Sequence, residues 1–280
     1  MLDFQLFRAK VFPSSQRNLF DSPEKRRQIL RDAIQSFPQV EIRAGSIWHV
    51  GNVSEVDRDA LYFRVGRTSK STIEIYEHGA FRDEQFETAP YTHVLMDIPL
   101  AICAIAKKAR LSPYARAIAN KLAKLLNHSK TARENTAELE LDPIFDPEDL
   151  ISYLAQAVSV SKFWITFKRP NPFDVNKDFV RPMQELLHKT GGRQGKTQIQ
   201  ANDLIAESLE ELARSAAATG DKAAATMSLE PGKRAVTKSL GRNPVMISHE
   251  DLSDEEQKRR LLRKMRKIYE RVRTGAGGAR

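Results

Sequence analysis

The changes of hydrophobic period along this chain constrain its fold most. Residues 2–12 set Leu2, Phe4 and Leu6 against Asp3 and Gln5, a period of two that reads as a half-buried strand. A helix signal follows at once: Ser22 can cap it, Pro23 suits its first turn, and Pro38 closes it. Ile29, Leu30, Ala33, Ile34 and Phe37 form its apolar stripe. Residues 39–77 then read as two or three strands, rich in Val, Ile, Tyr and Trp and broken at Gly45, Gly51-Asn52 and Gly66. Residues 90–97 read as another. Strand, helix and then several strands in succession describe an α+β opening, not an alternating α/β series.

The rest keeps that mixture. Residues 113–128 are expected to be a helix burying Tyr114, Ala117, Ile118, Leu122, Leu125 and Leu126. Residues 136–168 read strand, helix, strand, the helix starting near Asp146-Pro147-Glu148. A helix over 176–189, a short strand over 196–200, and a helix capped by Asn202 or Asp203 and ended near Gly220 come next. Residues 223–229 and 234–248 read as strands. Ser253 and Glu256 have the spacing of a capping box for the last helix. Leu261, Leu262, Met265, Ile268, Tyr269 and Val272 share one face of it, and Gly275 marks its stop. The heptad fit is too short for a coiled coil, so this is an amphipathic helix that docks on the body or on a partner. The expected fold is α+β, with mixed or antiparallel sheets, packed helices and a basic C-terminal amphipathic helix. The expected regions are 1–133, an α+β region at 134–249 packed on the first, and 250–280, the basic helix with a Gly-rich tail.

Composition narrows the function classes. One cysteine, Cys103, excludes an intramolecular disulfide framework and a cysteine-rich zinc site. Asp3, Arg8 and Lys10 interrupt the start where a secretory segment needs an apolar run, and the longest apolar stretch (98–106) is about half a bilayer span. A cytoplasmic protein is expected. The net charge is +9, from 45 Lys and Arg against 36 Asp and Glu, and it is unevenly placed. Residues 231–280 carry 14 bases and 6 acids, which leaves the first 230 residues at +1. Within that near-neutral body, residues 98–133 hold eight bases and no acid, and 134–161 hold seven acids and no base.

Three segments are candidates for a phosphate-tracking surface. Arg116, Asn120 and Lys124 fall at i, i+4, i+8 on the helix opposite its apolar side, with Lys121 beside them. Arg259, Arg260, Arg263, Lys264, Arg266, Lys267, Arg271 and Arg273 crowd the polar side of the last helix, where four acids cannot balance nine bases. In the strand 162–168, Phe163, Ile165 and Phe167 point to the core. Lys162, Trp164, Thr166 and Lys168 then present a flat ring between cations, able to stack a base and hold its phosphates. Tyr62 with Arg64, and Tyr76, offer weaker pairings of the same kind. Counterion release would make such a surface bind DNA or RNA in a salt-dependent way. The bland alternative is that the 98–133 and 134–161 blocks pair with each other.

Catalytic signatures fail on spacing. Gly191-Gly192-Arg193-Gln194-Gly195-Lys196-Thr197 has three residues between its first Gly and Gly195, where a P-loop needs four, and a helix precedes it. It remains a candidate turn whose Arg193 and Lys196 touch phosphate. The six histidines show no metal-ligand spacing; His93 and Asp97 share a strand face; Cys103 reads as a buried small hydrophobe. No cofactor or metal is expected, and no enzymatic activity of the chain's own. No family motif can be quoted, although the overall look is similar to bacterial accessory proteins encoded near mobile elements or phage-defence genes. The expected function is a nucleic-acid-binding accessory protein, contacting the backbone of DNA or RNA without strong sequence readout and with no membrane role. The alternatives are an assembly subunit that docks its last helix on a protein partner or a second copy, and a cryptic metal-dependent nuclease whose carboxylates converge in space.

Overall fold

The structure is a computed structural model and describes residues 1–13, 22–168 and 180–275. The strands are β1 (Leu2–Pro13), β2 (Gln39–Arg43), β3 (Ser46–Asp57), β4 (Ala60–Glu77), β5 (Ala80–Thr88), β6 (Tyr91–Asp97) and β7 (Ile102–Ala106). They continue with β8 (Ala137–Pro143), β9 (Ser159–Lys168), β10 (Gln194–Gln200), β11 (Ala223–Ser228), β12 (Val236–Ser239) and β13 (Met246–His249). The helices are α1 (Pro23–Gln35), α2 (Ala115–His128), α3 (Lys130–Glu134), α4 (Glu148–Gln156), α5 (Val180–Thr190), α6 (Ala206–Thr219) and α7 (Glu255–Thr274). The fold class is α+β, with antiparallel sheets and packed helices. No helix among the described residues is long and apolar enough to cross a membrane.

Two compact units interleave along the sequence. The first takes Met1–Gln5, Val11–Leu141 and Ser248–Arg259; the second takes Leu6–Lys10, Asp142–Ile247 and Arg260–Arg280. Strand β1 and helix α7 therefore each run from one unit into the other. In the first unit the sheet runs β7-β6-β4-β3-β2, β5 pairs with β4, and α1, α2 and α3 pack against one another and on this sheet. Ser22 caps α1 as expected, accepting from the Lys25 N–H at 3.2 Å. Helix α2 buries Ala115, Ile118, Ala119, Leu122, Leu125 and Leu126. Tyr114, expected in that face, is 73% exposed because it sits one residue before the first turn in extended backbone. Ala117 is only half-buried for the same reason of phase.

Strand β5 had no clear sequence signal. Its hairpin turns at His78 and Gly79, both with positive φ (51° and 83°), the two-residue turn that matches strand twist. Histidine in the left-handed region is uncommon, so the dipeptide carries none of the turn signature of Asn-Gly.

The second unit holds a four-stranded sheet in the order β10-β9-β11-β12, with α4, α5 and α6 packed on it. The Ala-rich run 223–225, compositionally better suited to a helix, is a strand because Ala223, Ala224 and Ala225 pair with Ile165, Trp164 and Phe163 of β9 and are fully buried. Of the expected helix over 176–189, residues 176–179 lie outside the described residues, and α5 covers the remainder. Asp203 does not cap α6; its carboxylate accepts from the Val160 N–H at 2.9 Å, and Ile205 precedes the helix without a side-chain cap. Asp254, not Ser253, accepts from the Gln257 N–H at the start of α7 (2.8 Å), since the Ser253 hydroxyl donates to Asp251. The turn at Gly275 ends α7 with φ +78, and a Cβ there would meet the Arg214 guanidinium at 2.6 Å.

The largest departure from the sequence reading is β1. A period of two implies one solvent-facing side, but every residue from Phe4 to Lys10 is buried, including Gln5, Arg8 and Lys10. Arg8 is fully buried and donates to the Tyr269 hydroxyl at 2.6 Å, its guanidinium 5.7 Å from the same ring. Lys10 Nζ lies 3.0 Å from Asp142 Oδ2 and 3.4 Å from Asp221 Oδ1. Lys168 Nζ meets Asp142 at 2.7 Å, and the Thr219 hydroxyl donates to Asp221 at 2.7 Å. Two ammonium groups and two carboxylates thus form one balanced, mostly buried cluster. Removing one member strands a buried charge, which costs about 3–5 kcal/mol. Lys10→Met is expected to destabilise the full chain by that order in urea unfolding. Tyr269→Phe, which removes one acceptor from a buried guanidinium, is expected to cost about 1.5–3 kcal/mol. A change below about 0.5 kcal/mol in both would show that the cluster does not hold the unit together.

Candidate nucleic-acid interface

The expected contact residues distribute over both units. In the first, Arg116 and Lys124 are exposed on α2. Lys121 is half-buried between them and the sheet. Burial lowers its pKa first, and the like charges of Lys124 and of Arg43 on β2 lower it further. Arg43, Lys121 and Lys124 therefore make one cationic group that spans a helix and a strand edge. The basic and acidic blocks meet at their boundary, where Lys130 Nζ lies 3.6 Å from Glu134, and two acids further on pair elsewhere. Asp142 turns to Lys10 and Lys168, and Glu148 lies 2.8 Å from Arg214, all in the second unit. Arg214, nearly buried, also meets Glu210 at 2.8 Å; burial lowers its pKa, and the two carboxylates outweigh this and raise it.

In the second unit, β9 sends Phe163, Ile165 and Phe167 into the core and leaves Trp164 half-buried on the other side. Lys196, three residues into β10, lays its ammonium 4.3 Å from the Trp164 ring centroid. This brings together two expected residues and also occupies the ring. Thr166 exchanges hydrogen bonds with the Lys222 backbone (2.9 and 3.4 Å), and Lys168 belongs to the buried ion cluster. Of the expected stacking strip, Lys162 and Trp164 are half-buried, while Thr166 and Lys168 are held internally.

The glycines before Lys196 serve packing. Gly191 has φ +70 just past the end of α5, as a helix stop requires. Gly195 lies inside β10 opposite Phe167, and a Cβ there would meet the ring at 2.4 Å. This segment is a helix stop running into a strand, with Arg193 and Lys196 exposed along it. Gly195→Ala is expected to destabilise by about 1–3 kcal/mol through overpacking.

Helix α7 uses its apolar side completely. Leu261, Leu262, Met265, Tyr269 and Val272 are buried, and Ile268 is half-buried. Arg259, Arg260, Arg263, Lys264, Lys267 and Arg271 are exposed; Arg266 and Arg273 are half-buried. The Arg259 Nε–H donates to the Val56 carbonyl at 3.3 Å.

Sequence spacing underrated one constellation, on β4 and β6 of the first unit. Arg64 pairs directly with His93 in the sheet, and Gly66 with Tyr91. The Arg64 guanidinium lies 4.4 Å from the Tyr91 ring centroid, and its Nε–H donates to the Tyr62 oxygen at 3.2 Å. The Tyr62 oxygen is 2.8 Å from His93 Nδ1, and Lys258 Nζ sits 4.4 Å from the Tyr62 ring centroid. Tyr62 is buried, His93 and Arg64 are half-buried, and Tyr91 is exposed. Burial lowers the His93 pKa, and Arg64, Lys108 and Lys258 lower it further, so the ring is neutral near pH 7. Cross-strand register created this cluster, and two-residue pairing across 29 positions of chain leaves no local motif. Asp97, expected to share a face with His93, is fully buried and accepts from the Leu100 N–H at 2.8 Å.

The two aspartates Asp142 and Asp221 do converge near strand ends, as a metal-dependent nuclease would need. Both are engaged by lysine ammonium groups. Among the described residues no group of three or more His, Cys, Asp and Glu is arranged to hold a metal ion. Lys10 and Lys168 keep Asp142 below the usual carboxylate range against the burial that opposes them; burial pushes Asp221 up. Cys103 is fully buried, which raises its thiol pKa and removes it from nucleophilic chemistry. No protein-family model and no curated protein sequence matches the chain.

A depressed carboxylate pKa gives stability that is present above the unfolded value and lost as pH falls through the folded one. Asp142→Asn is therefore expected to be much less stable than the wild type at neutral pH. The gap should begin to close as pH falls below about 4, the unfolded value, and close fully only as pH passes through the lower folded one. Urea unfolding of both proteins across that range checks this; a gap that does not change with pH would exclude the ionised Asp142 as its source.

Proposed function

We propose that the protein binds nucleic acid through backbone phosphates, with the outward row of α7 as its main contact surface. One observation carries this reading: the apolar stripe of α7 is spent inside its own chain, which leaves the row of six exposed Arg and Lys side chains as what the helix offers a partner. A helix held rigidly on one side loses little freedom when phosphates bind on the other, so its charge is preorganised. Arg116 and Lys124 on α2, and Arg193 just before β10 with Lys196 on it, extend the cationic surface of their units. Contacts to phosphate carry no sequence information. The activity is binding, without chemistry on the nucleic acid.

A second reading, an assembly subunit, draws on the β4–β5 hairpin and not on α7. Tyr76 and Phe81 face each other across its end (ring centroids 4.9 Å apart) and are 64% and 81% exposed, a pairing suited to a protein partner.

If about six phosphates are neutralised, log Kd against log salt on duplex DNA should have a slope near 5 in magnitude. Fluorescence anisotropy over a salt series measures it. Replacing Arg263, Lys264, Lys267 and Arg271 together by Gln should remove most of the slope and weaken binding at low salt by more than tenfold, roughly, on any sequence. No binding by the wild-type chain at low salt, or an unchanged slope in the variant, would overturn the reading. Light scattering of the purified complex, with and without nuclease treatment, decides for the assembly reading if a protein complex persists after the nucleic acid is gone.

A further inference from the structure

We infer that the Tyr62–Arg64–Tyr91–His93 cluster of the first unit, with Lys108 and Lys258, is a site for a single-stranded segment of nucleic acid, holding one unpaired base and its phosphate. This rests on the nucleic-acid reading above and assigns the strand form and the residues.

The chemistry starts from the hydrogen-bond order. Arg64 has no acceptor, so its Nε–H donates to the Tyr62 oxygen. The Tyr62 O–H is then free to donate to His93 Nδ1 at 2.8 Å. With Nδ1 accepting, the neutral imidazole carries its proton on Nε2. In this tautomer His93 presents an Nε2–H donor, with its Nδ1 lone pair taken up by the Tyr62 hydroxyl. The charges acting on this ring come from Arg64, Lys108 and Lys258, all cations; Lys258 is shared with Glu255 at 2.5 Å. An N–H donor among three cations fits a phosphate.

The base-binding part is the Arg64–Tyr91 pair. Bases stack on aromatic rings and on guanidinium planes; the Arg64 guanidinium carbon lies 4.4 Å over one face of Tyr91, so a base would stack on the other face. Tyr91 is 41% exposed, and its edge meets His93 with ring centroids 5.7 Å apart. Its backbone position is fixed by Gly66 in the facing strand, where a Cβ would meet the Pro90 carbonyl at 2.9 Å and Tyr91 Cβ at 3.0 Å. A paired base has both faces covered in a duplex, so this arrangement selects unpaired bases.

The test compares an oligo-dT of about 12 nucleotides with a duplex of the same length, since sites of this type cover about 4–16 nucleotides. Tyr91→Ala and Arg64→Gln are expected to weaken single-strand binding about tenfold and duplex binding less than about twofold, and Tyr91→Phe to keep wild-type affinity. The α7 quadruple Gln variant should weaken both forms together. By NMR, oligo-dT should shift the His93 ring resonances, assigned with His93→Gln, in the wild type and in the α7 variant. Equal losses on both strand forms in Tyr91→Ala, or an unmoved His93 in a wild-type chain that binds oligo-dT, would overturn this inference and leave the α7 reading standing. A wild-type chain that binds neither strand form at low salt overturns both.

Discussion

The second unit depends on burying two cations from the same short strand segment. Arg8 and Lys10 lie on β1 at 0% and 3% exposure, and a buried charge is tolerated only when it is paired and hydrogen-bonded. Their partners come from distant parts of the chain: Tyr269 on α7, Asp142 at the end of β8, and Asp221 just after α6. The two aspartates lie at the ends of elements, and Tyr269 lies within α7. Gly220 lets the end of α6 approach β8 so closely that a Cβ would meet Asp142 at 2.6 Å, which delivers Asp221 to Lys10. The Tyr269 hydroxyl pins α7 along its apolar side. Hydrophobic contact alone would hold these elements nondirectionally; the ionic and hydroxyl partners set their register.

That constraint decides what is left outside. An amphipathic helix with a buried tyrosine bonded to a buried arginine has no apolar side to offer, and its remaining side carries six exposed Arg and Lys beside Glu255, Glu256 and Glu270. The same division operates on β9, where Lys168 is drawn into the ion cluster and Trp164 receives Lys196 from the neighbouring strand. A basic strip read from sequence therefore separates into members that neutralise internal acids and members that face outward. The proposed binding functions rest on the second group and on a cluster that cross-strand pairing assembles at Arg64 and His93.

Much of the fold was legible. Ser22 caps α1, Pro147 precedes α4, and Gly220 and Gly275 stop α6 and α7, because caps and stops are local chemistry that reads directly in sequence. The failures have physical reasons. Asp203 bonds across to Val160 instead of capping α6, and Asp254 takes the cap that the Ser253 spacing advertised while the Ser253 hydroxyl turns to Asp251, because each short polar side chain had another partner within reach. The strand read over 223–229 is present as Ala223–Ser228, although an Ala-rich run suits a helix by propensity, because it pairs with β9 on one side and β12 on the other. The Gly-rich segment before Lys196 looked like a phosphate loop, and one of its glycines is there to clear Phe167.

By itself, the sequence determined the α+β class, most helix ends, the absence of a disulfide framework and the concentration of positive charge in the last 50 residues. These follow from period, capping chemistry and composition, all of which act over a few residues. Only the tertiary structure decided that β1 is buried on both sides, that Lys10 and Lys168 are counter-ions to Asp142, and that Tyr62, Arg64, Tyr91 and His93 lie in one cluster. Period-two alternation reports which residues share a face but not whether something covers the other one, and charge pairing between residues about two hundred positions apart depends on which elements pack together.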